Sequence, residues 1–266
     1  MKKTITAHCI VKNEENFIFY AIKSVVDFVD KIIVFDTGSE DKTVEIIEKL
    51  LKEYPEKIVF EEKGTCDKKR HTELRQEMLE KTTSDWFMIL DGDEIWNDRG
   101  MKEALEIVNY GEDEKIECLI VPFYLCVGDI YHKYYKKGDF EILGKKGFFS
   151  PRLIKIVKDI HWSGDYNEDT LLFNDGKKVF RENNTIFLKN KYWHVTHLKR
   201  SSLDDNDYSS GGTRKKKLRL SYFLIGRKIK ESIPRVFKIS EKKLNISFLN
   251  SFFNLLILIK GKLFVL

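Results

Sequence analysis

The chain opens with an apolar run, Thr4 to Val11, that stops on polar Lys12-Asn13-Glu14-Glu15. Apolar residues then recur at helical spacing at Phe17, Ile18, Ala21, Ile22, Val25 and Val26. Lys31 to Asp36 is β-branched and nearly all apolar, which predicts a second strand. Thr37-Gly38-Ser39 is turn chemistry, and Asp41 to Glu53 resumes the helical period. Ile58-Val59-Phe60 predicts a third strand, Lys68 to Lys81 a helix, and Trp86 to Leu90 a fourth strand. Strands that are apolar on both faces and alternate with helices indicate a parallel sheet covered on both sides. Right-handed crossovers gather the carboxyl ends of such strands along one edge, where ligands of open α/β sheets bind. The polar groups after strands one, two and four should therefore face one crevice, in a nucleotide-type half that runs to about Asn97.

Beyond that point the texture changes. Met101 to Asn109 reads as a helix, and Ile116 to Val127 and Phe148 to Val157 as longer strands. Gly138 to Gly147 is a Gly/Lys-rich loop, and Tyr192 to Leu198 is a last short strand. From Ser201 the chain is polar, then basic and helical, then apolar. The fold class expected is α/β with a mostly parallel central sheet flanked by helices, followed by a C-terminal helical extension. The boundaries expected are 1–97 for the nucleotide-binding half, 98–198 for the acceptor-side half and 199–266 for the tail.

Charge sharpens that division. The formal net charge is +5 over 266 residues, yet the segment from Lys199 onward carries +11 and the first 198 residues −6. Hydrophobic residues at 42% and only four prolines exclude a disordered or collagenous chain. The cysteines Cys9, Cys66, Cys118 and Cys126 form no C-x-x-C pair, which argues against a zinc site and for a reduced, cytoplasmic home. The apolar run after Met1-Lys2-Lys3 is too short for a signal peptide.

The most informative chemistry follows the fourth strand. Asp91-Gly92-Asp93-Glu94 puts three carboxylates in four residues, a density that needs a cation or solvent to compensate. Oxygen ligands of this kind suit Mg²⁺ or Mn²⁺, and Gly92 lets backbone approach a ligand closely. A solvated turn that caps the next helix is the competing reading. After the second strand, Asp36 can accept hydrogen bonds from a base or ribose beside the Thr37-Gly38-Ser39 turn. Asp41 and Thr43 are better explained as helix caps.

Val11-Lys12-Asn13-Glu14-Glu15, Asp36-Thr37-Gly38-Ser39-Glu40-Asp41-Lys42-Thr43 and Asp91-Gly92-Asp93-Glu94 occur in that order and at suitable spacing. Together they resemble a family 2 glycosyltransferase of the GT-A fold with its D-x-D motif, over roughly the first hundred residues. The resemblance implies a nucleotide-sugar donor, a UDP-sugar above all, a divalent metal at the diphosphate (Mn²⁺ or Mg²⁺), and direct displacement with inversion. It assigns donor binding to Val11, Asn13, Glu15, Asp36, Gly38, Arg70, Asp91 and Gly92. Asp93 is then the principal metal ligand, with Asp91 and a late histidine, His194 ahead of His197. Arg70 reads equally as a surface arginine.

The general base falls in Trp162-Ser163-Gly164-Asp165-Tyr166-Asn167-Glu168-Asp169, a Gly-containing acidic turn. Many relatives carry a His-Glu pair here, and this chain has Asn167-Glu168. The base is Asp169 under a glutamate–aspartate reading and Glu168 under a histidine–glutamate one. Lys199 and Arg200 can neutralise the leaving diphosphate.

The tail's basic runs precede the apolar segment Leu244 to Leu266, which is broken by three asparagines and by Lys260 and Lys262. That pattern fits an interfacial helix on an anionic, cytosolic membrane face better than a spanning one. Packing on the body or on a homodimer partner competes equally, and nucleic acid ranks last. The function expected is transfer of a sugar to a glycan or lipid-linked acceptor. Its rivals are a nucleotidyltransferase, disfavoured by the missing Gly-rich phosphate loop, and a non-catalytic scaffold on the same fold.

Overall fold

The computed structural model describes residues 2–111, 115–166, 169–204, 216–217 and 226–239. In chain order, β1 (Ile5–Val11), α1 (Ile18–Val25), β2 (Lys31–Asp36), α2 (Thr43–Glu53), β3 (Ile58–Glu62), α3 (Lys68–Glu80) and β4 (Trp86–Ile89) form the first half. β5 (Glu94–Ile95), α4 (Asp98–Tyr110), β6 (Cys118–Leu125), β7 (His132–Tyr134), β8 (Phe140–Ile142), β9 (Lys145–Gly147) and β10 (Phe149–Lys155) follow. The last strands are β11 (Ile160–Ser163), β12 (Thr170–Phe173), β13 (Thr185–Phe187), β14 (Tyr192–His194) and β15 (Gly226–Lys228).

Among the described residues nine strands make one sheet, in the order β3-β2-β1-β4-β10-β6-β14-β5, with β13 also pairing β6. The first four run parallel, as their two-sided apolar character predicts. Alternation along β1 explains how both faces are covered. Ile5, Ala7, Cys9 and Val11 enter the main core with α1, α2 and α4. Ile33 and Phe35 of β2 face the other way, with Leu74 and Met78 of α3. Asp67 caps α3 by accepting from the Arg70 amide at 2.7 Å, and Asn97 caps α4 by accepting from Gly100 at 2.7 Å. Val11 lies opposite Asp36 in the register, so the polar loops after β1 and β2 leave the sheet side by side.

His8 belongs to the second face. Its Nε2 lies 2.6 Å from Thr82 Oγ1, and its ring stacks on Phe87 with centroids 4.9 Å apart. The Thr82 hydroxyl donates to the Met78 carbonyl at 2.7 Å, so His8 Nε2–H is the donor. Burial, with Arg75 nearby, lowers its pKa from 6.5 to about 3. An unfolded chain protonates this ring near 6.5 while the fold resists, so the stabilisation is complete above that pH and drains away as pH falls toward 3. At about pH 5 the loss is about 2 kcal/mol. Urea titrations at neutral pH and about pH 5 should reveal it, and His8→Gln should flatten the difference by a similar amount.

Three elements depart from the pattern reading. The Gly138–Gly147 segment contains a hairpin, β8 against β9, turned by Leu143 (φ 49°) and Gly144 (φ 72°). Two consecutive positive φ angles are what a tight hairpin turn demands. The stretch Ile160–Phe173 is a second hairpin, β11 against β12, with the acidic turn at its tip. The basic segment after Lys199 is not helical throughout. β15 pairs antiparallel with β7, and Ile229, Val236 and Phe237 are buried with Phe17, Tyr20 and Trp193. Pro234 and the β-branched Ile229 and Ile233 explain why a helix does not run through this stretch. Among the described residues no helix is long and apolar enough to cross a membrane. Leu244 to Leu266, read as the interfacial helix, lies outside the described residues.

Candidate active site

The loop after β1 turns at Asn13, which takes a positive φ of 54°. Its amide donates to Ser39 Oγ at 2.8 Å, and its side-chain Oδ1 accepts from the Glu40 amide at 2.8 Å. The Glu14 amide donates to Thr43 Oγ1 at 2.7 Å. Glu15 accepts from the amides of Lys42 at 3.3 Å and Ser202 at 2.6 Å. The polar run Lys12–Glu15 thus ties the end of β1 to the start of α2 and to the strap at residues 199–204.

Asp36 is buried at the end of β2. Its carboxylate accepts from Gly38 N at 3.1 Å and Ser39 N at 2.8 Å, which closes a turn that needs the positive φ of Gly38, 86°.

After β4 the three carboxylates separate. Asp91 reaches the crevice with its side chain 40% exposed, and its Oδ2 lies 3.0 Å from Arg152 Nη2. Glu94 is fully buried, and the same Nη2 donates to its Oε1. Asp93, also buried, turns the other way. Its Oδ2 accepts from Arg200 Nη1 at 2.7 Å, and its Oδ1 lies 3.6 Å from His194 Nε2. Arg200 Nη1 also donates to Glu14 Oε1 at 2.8 Å. Burial alone would raise the Asp93 pKa, but Arg200 and His194 hold its carboxyl well below the usual range. Burial opposes the charge on Arg200 too, and Glu14 and Asp93 keep it firmly protonated.

Gly92 has no room for a side chain. A Cβ there would stand 2.9 Å from Glu14 Cγ and 3.1 Å from Val11 Cγ1. Gly92→Ala is therefore expected to cost about 1–3 kcal/mol. Displacing Glu14 also disturbs the Arg200 pair, so the urea midpoint should fall.

The remaining residues lie on the α3 side. Arg70 is half-buried and pairs with Glu73 at 3.1 Å, on the wall of a groove that also includes Gly164 and Asp165. Asp169 lies 3.1 Å from Arg75 Nε, and the Arg75 guanidinium sits 4.8 Å from the Trp162 ring centre. Tyr166 packs on His71 at 4.1 Å between centroids. Glu168, the other base candidate, lies outside the described residues. His197 lies in a turn past the end of β14, outside the strand read over Tyr192 to Leu198, and its Nδ1 is 3.1 Å from the Lys217 carbonyl.

Asp93 and His194 are thus brought together, whereas Asp91 faces Arg152. Among the described residues no three His, Cys, Asp or Glu side chains are arranged to hold a metal ion. The Asp93–His194 pair nevertheless fits a divalent cation as two donors, one hard oxygen and one imidazole nitrogen. Reading the sequence missed Arg152 and the part played by Glu14. Pro151 within a strand was the available signal for the first, because proline inside a sheet marks an irregularity.

Residues 7–164 match the family model for glycosyl transferase family 2. The chain belongs to this family. The sheet described above, four parallel strands extended by β10, β6 and β14, is the mixed α/β GT-A arrangement that membership implies. Among curated relatives, the family 2 chain is 30% identical to the SPbeta prophage-derived glycosyltransferase SunS of Bacillus subtilis (strain 168) over 120 residues. That match covers 45% of this chain and 27% of SunS, so the chain spans about a quarter of its relative's length. S. aureus TarS is 15% identical, with 83% of this chain and 64% of that one covered and a TM-score of 0.48. The mannosyltransferase PcManGT from Pyrobaculum calidifontis, solved with GDP-Man and Mn²⁺, is 11% identical over 96% of this chain and 72% of its own, at TM-score 0.47.

Proposed function

We propose that this chain transfers a sugar from a nucleotide-diphosphate donor, a UDP-sugar first, to a glycan or lipid-linked acceptor, with inversion. The observation that carries this reading is the buried Asp93 carboxylate facing His194 Nε2 at 3.6 Å just past β4, where the parallel strands end. Asp36, Gly38 and the backbone near Val11 and Asn13 form the nucleotide side, and Arg70 of α3 is a further donor contact. Asp93 and His194 are the residues that hold Mn²⁺ or Mg²⁺, whose chemistry is to neutralise the donor diphosphate. Arg200 adds fixed positive charge beside them, suited to the leaving nucleotide.

The acceptor hydroxyl gives its proton to a carboxylate of the β11–β12 turn. Asp169 is oriented by its contact with Arg75 Nε at 3.1 Å, which suits that role, and Glu168 is the alternative base. A thermal-shift screen of nucleotide sugars, with and without Mn²⁺, tests the reading. A ligand at a hundredfold excess over its Kd stabilises the native state by about 2.7 kcal/mol and raises Tm. The expected result is a rise with one nucleotide sugar and slow hydrolysis of the same compound. No response to any of them would overturn it.

A further inference from the structure

Arg152 reaches the carboxylates by way of an irregularity in the sheet. Along β10, Pro151 lies opposite Ile120 of β6 and Leu153 opposite the adjacent Leu119, so Arg152 is an extra residue without a partner there. This is a β-bulge, and the missing N–H of Pro151 suits it. Bulges re-aim side chains, and this one carries a guanidinium to the end of β4. Arg152 is 8% exposed and lies over the Tyr192 ring, 5.7 Å from its centre.

One nitrogen, Nη2, serves two carboxylates in different surroundings. Glu94 is sealed in the core, whereas Asp91 opens on the crevice. Neutralising Glu94 needs a cation somewhere nearby but does not require contact with Asp91. The second contact fixes one oxygen of Asp91, whose side chain remains 40% exposed. We infer that Arg152 is a positioning residue, delivered by the β10 bulge to orient Asp91 toward the nucleotide sugar. The inference rests on the reading of Asp91 as a donor-binding residue.

Arg152→Gln, Glu94→Gln and the double variant separate positioning from charge balance. Arg152→Gln alone is expected to lose both stability and donor affinity, because it leaves Glu94 sealed without its cation. In the double variant urea stability should return most of the way to wild type. Its Kd for the nucleotide sugar found in the screen should stay weakened by about tenfold or more, since the charge-assisted contact is still missing. KM should rise more than kcat falls. Recovery of both stability and affinity would reduce Arg152 to a counter-charge for Glu94 and overturn the inference.

A crystal structure of the double variant gives a readout independent of turnover. Asp91 in a new rotamer supports the positioning role, and an unmoved Asp91 overturns it. If the wild-type protein binds no nucleotide sugar, the functional reading fails by itself, and the Asp91 rotamer still decides whether Arg152 positions that side chain.

Discussion

Changing Asp93 to asparagine is expected to leave the fold standing and to cut nucleotide-sugar turnover by about 1000-fold or more. The substitution is isosteric, and the buried Arg200 guanidinium keeps its second partner, Glu14 Oε1 at 2.8 Å. No buried charge is therefore stranded, and the urea midpoint should move little. What disappears is a carboxylate whose Oδ1 faces His194 Nε2 at 3.6 Å. An amide at the same place is a neutral and much poorer ligand for a hard cation, so Mn²⁺ affinity, followed by the EPR signal of the free ion, should fall with turnover. Steady-state hydrolysis on matched preparations checks the first half of this expectation. Turnover within a few-fold of wild type would remove Asp93 from the reaction.

Most of the first half was legible because its signals are local. β1, β2 and β4 are apolar on both faces, and a parallel sheet with two covers is the arrangement that buries them. The convergence of three polar loops then follows from topology, without knowledge of any side chain. The reading of the turn after β2 was also local, and Asp36 with Gly38 forms it.

The site's charge pairing was not legible. Arg200 and Asp93 stand 107 residues apart, and Arg152 and Asp91 stand 61 apart. No periodicity connects residues at that separation. The sequence offers Lys199 and Arg200 as charges for the leaving diphosphate, and only the fold shows Arg200 paired with Glu14 and Asp93. Arg152 escaped notice because a bulge breaks the period of two on which strand faces are read. The β8–β9 hairpin was hidden for a related reason. Leu143 occupies a positive-φ turn position where Asn or Asp would have signalled it. Composition misled at residues 226–239, where a high density of Lys and Arg suggested a separate helix. The buried Ile229, Val236 and Phe237 instead join the core beside α1.

Arg200→Met is expected to destabilise the fold by about 3–5 kcal/mol. Methionine fills much of the space of the arginine stem, so the loss is mainly electrostatic. Asp93 and Glu14 are each 4% exposed, and the variant removes the cation that lies within 2.8 Å of both. Two buried carboxylates then face each other with His194 as the nearest compensation for Asp93. The strap itself should persist, because the Asn16 amide donates to the Arg200 carbonyl at 3.0 Å and the Arg200 amide to Asp204 at 2.6 Å, contacts of the main chain. Adding Asp93→Asn to Arg200→Met should recover part of the lost stability, since one of the two stranded charges is gone. Mn²⁺ should raise the Tm of Arg200→Met by more than that of wild type, because an added cation restores charge that the wild-type site already has. A single variant as stable as wild type in urea would show that Arg200 does not supply the counter-charge for this pair. Equal Tm shifts with Mn²⁺ would show that the ion and the guanidinium do not compete for Asp93.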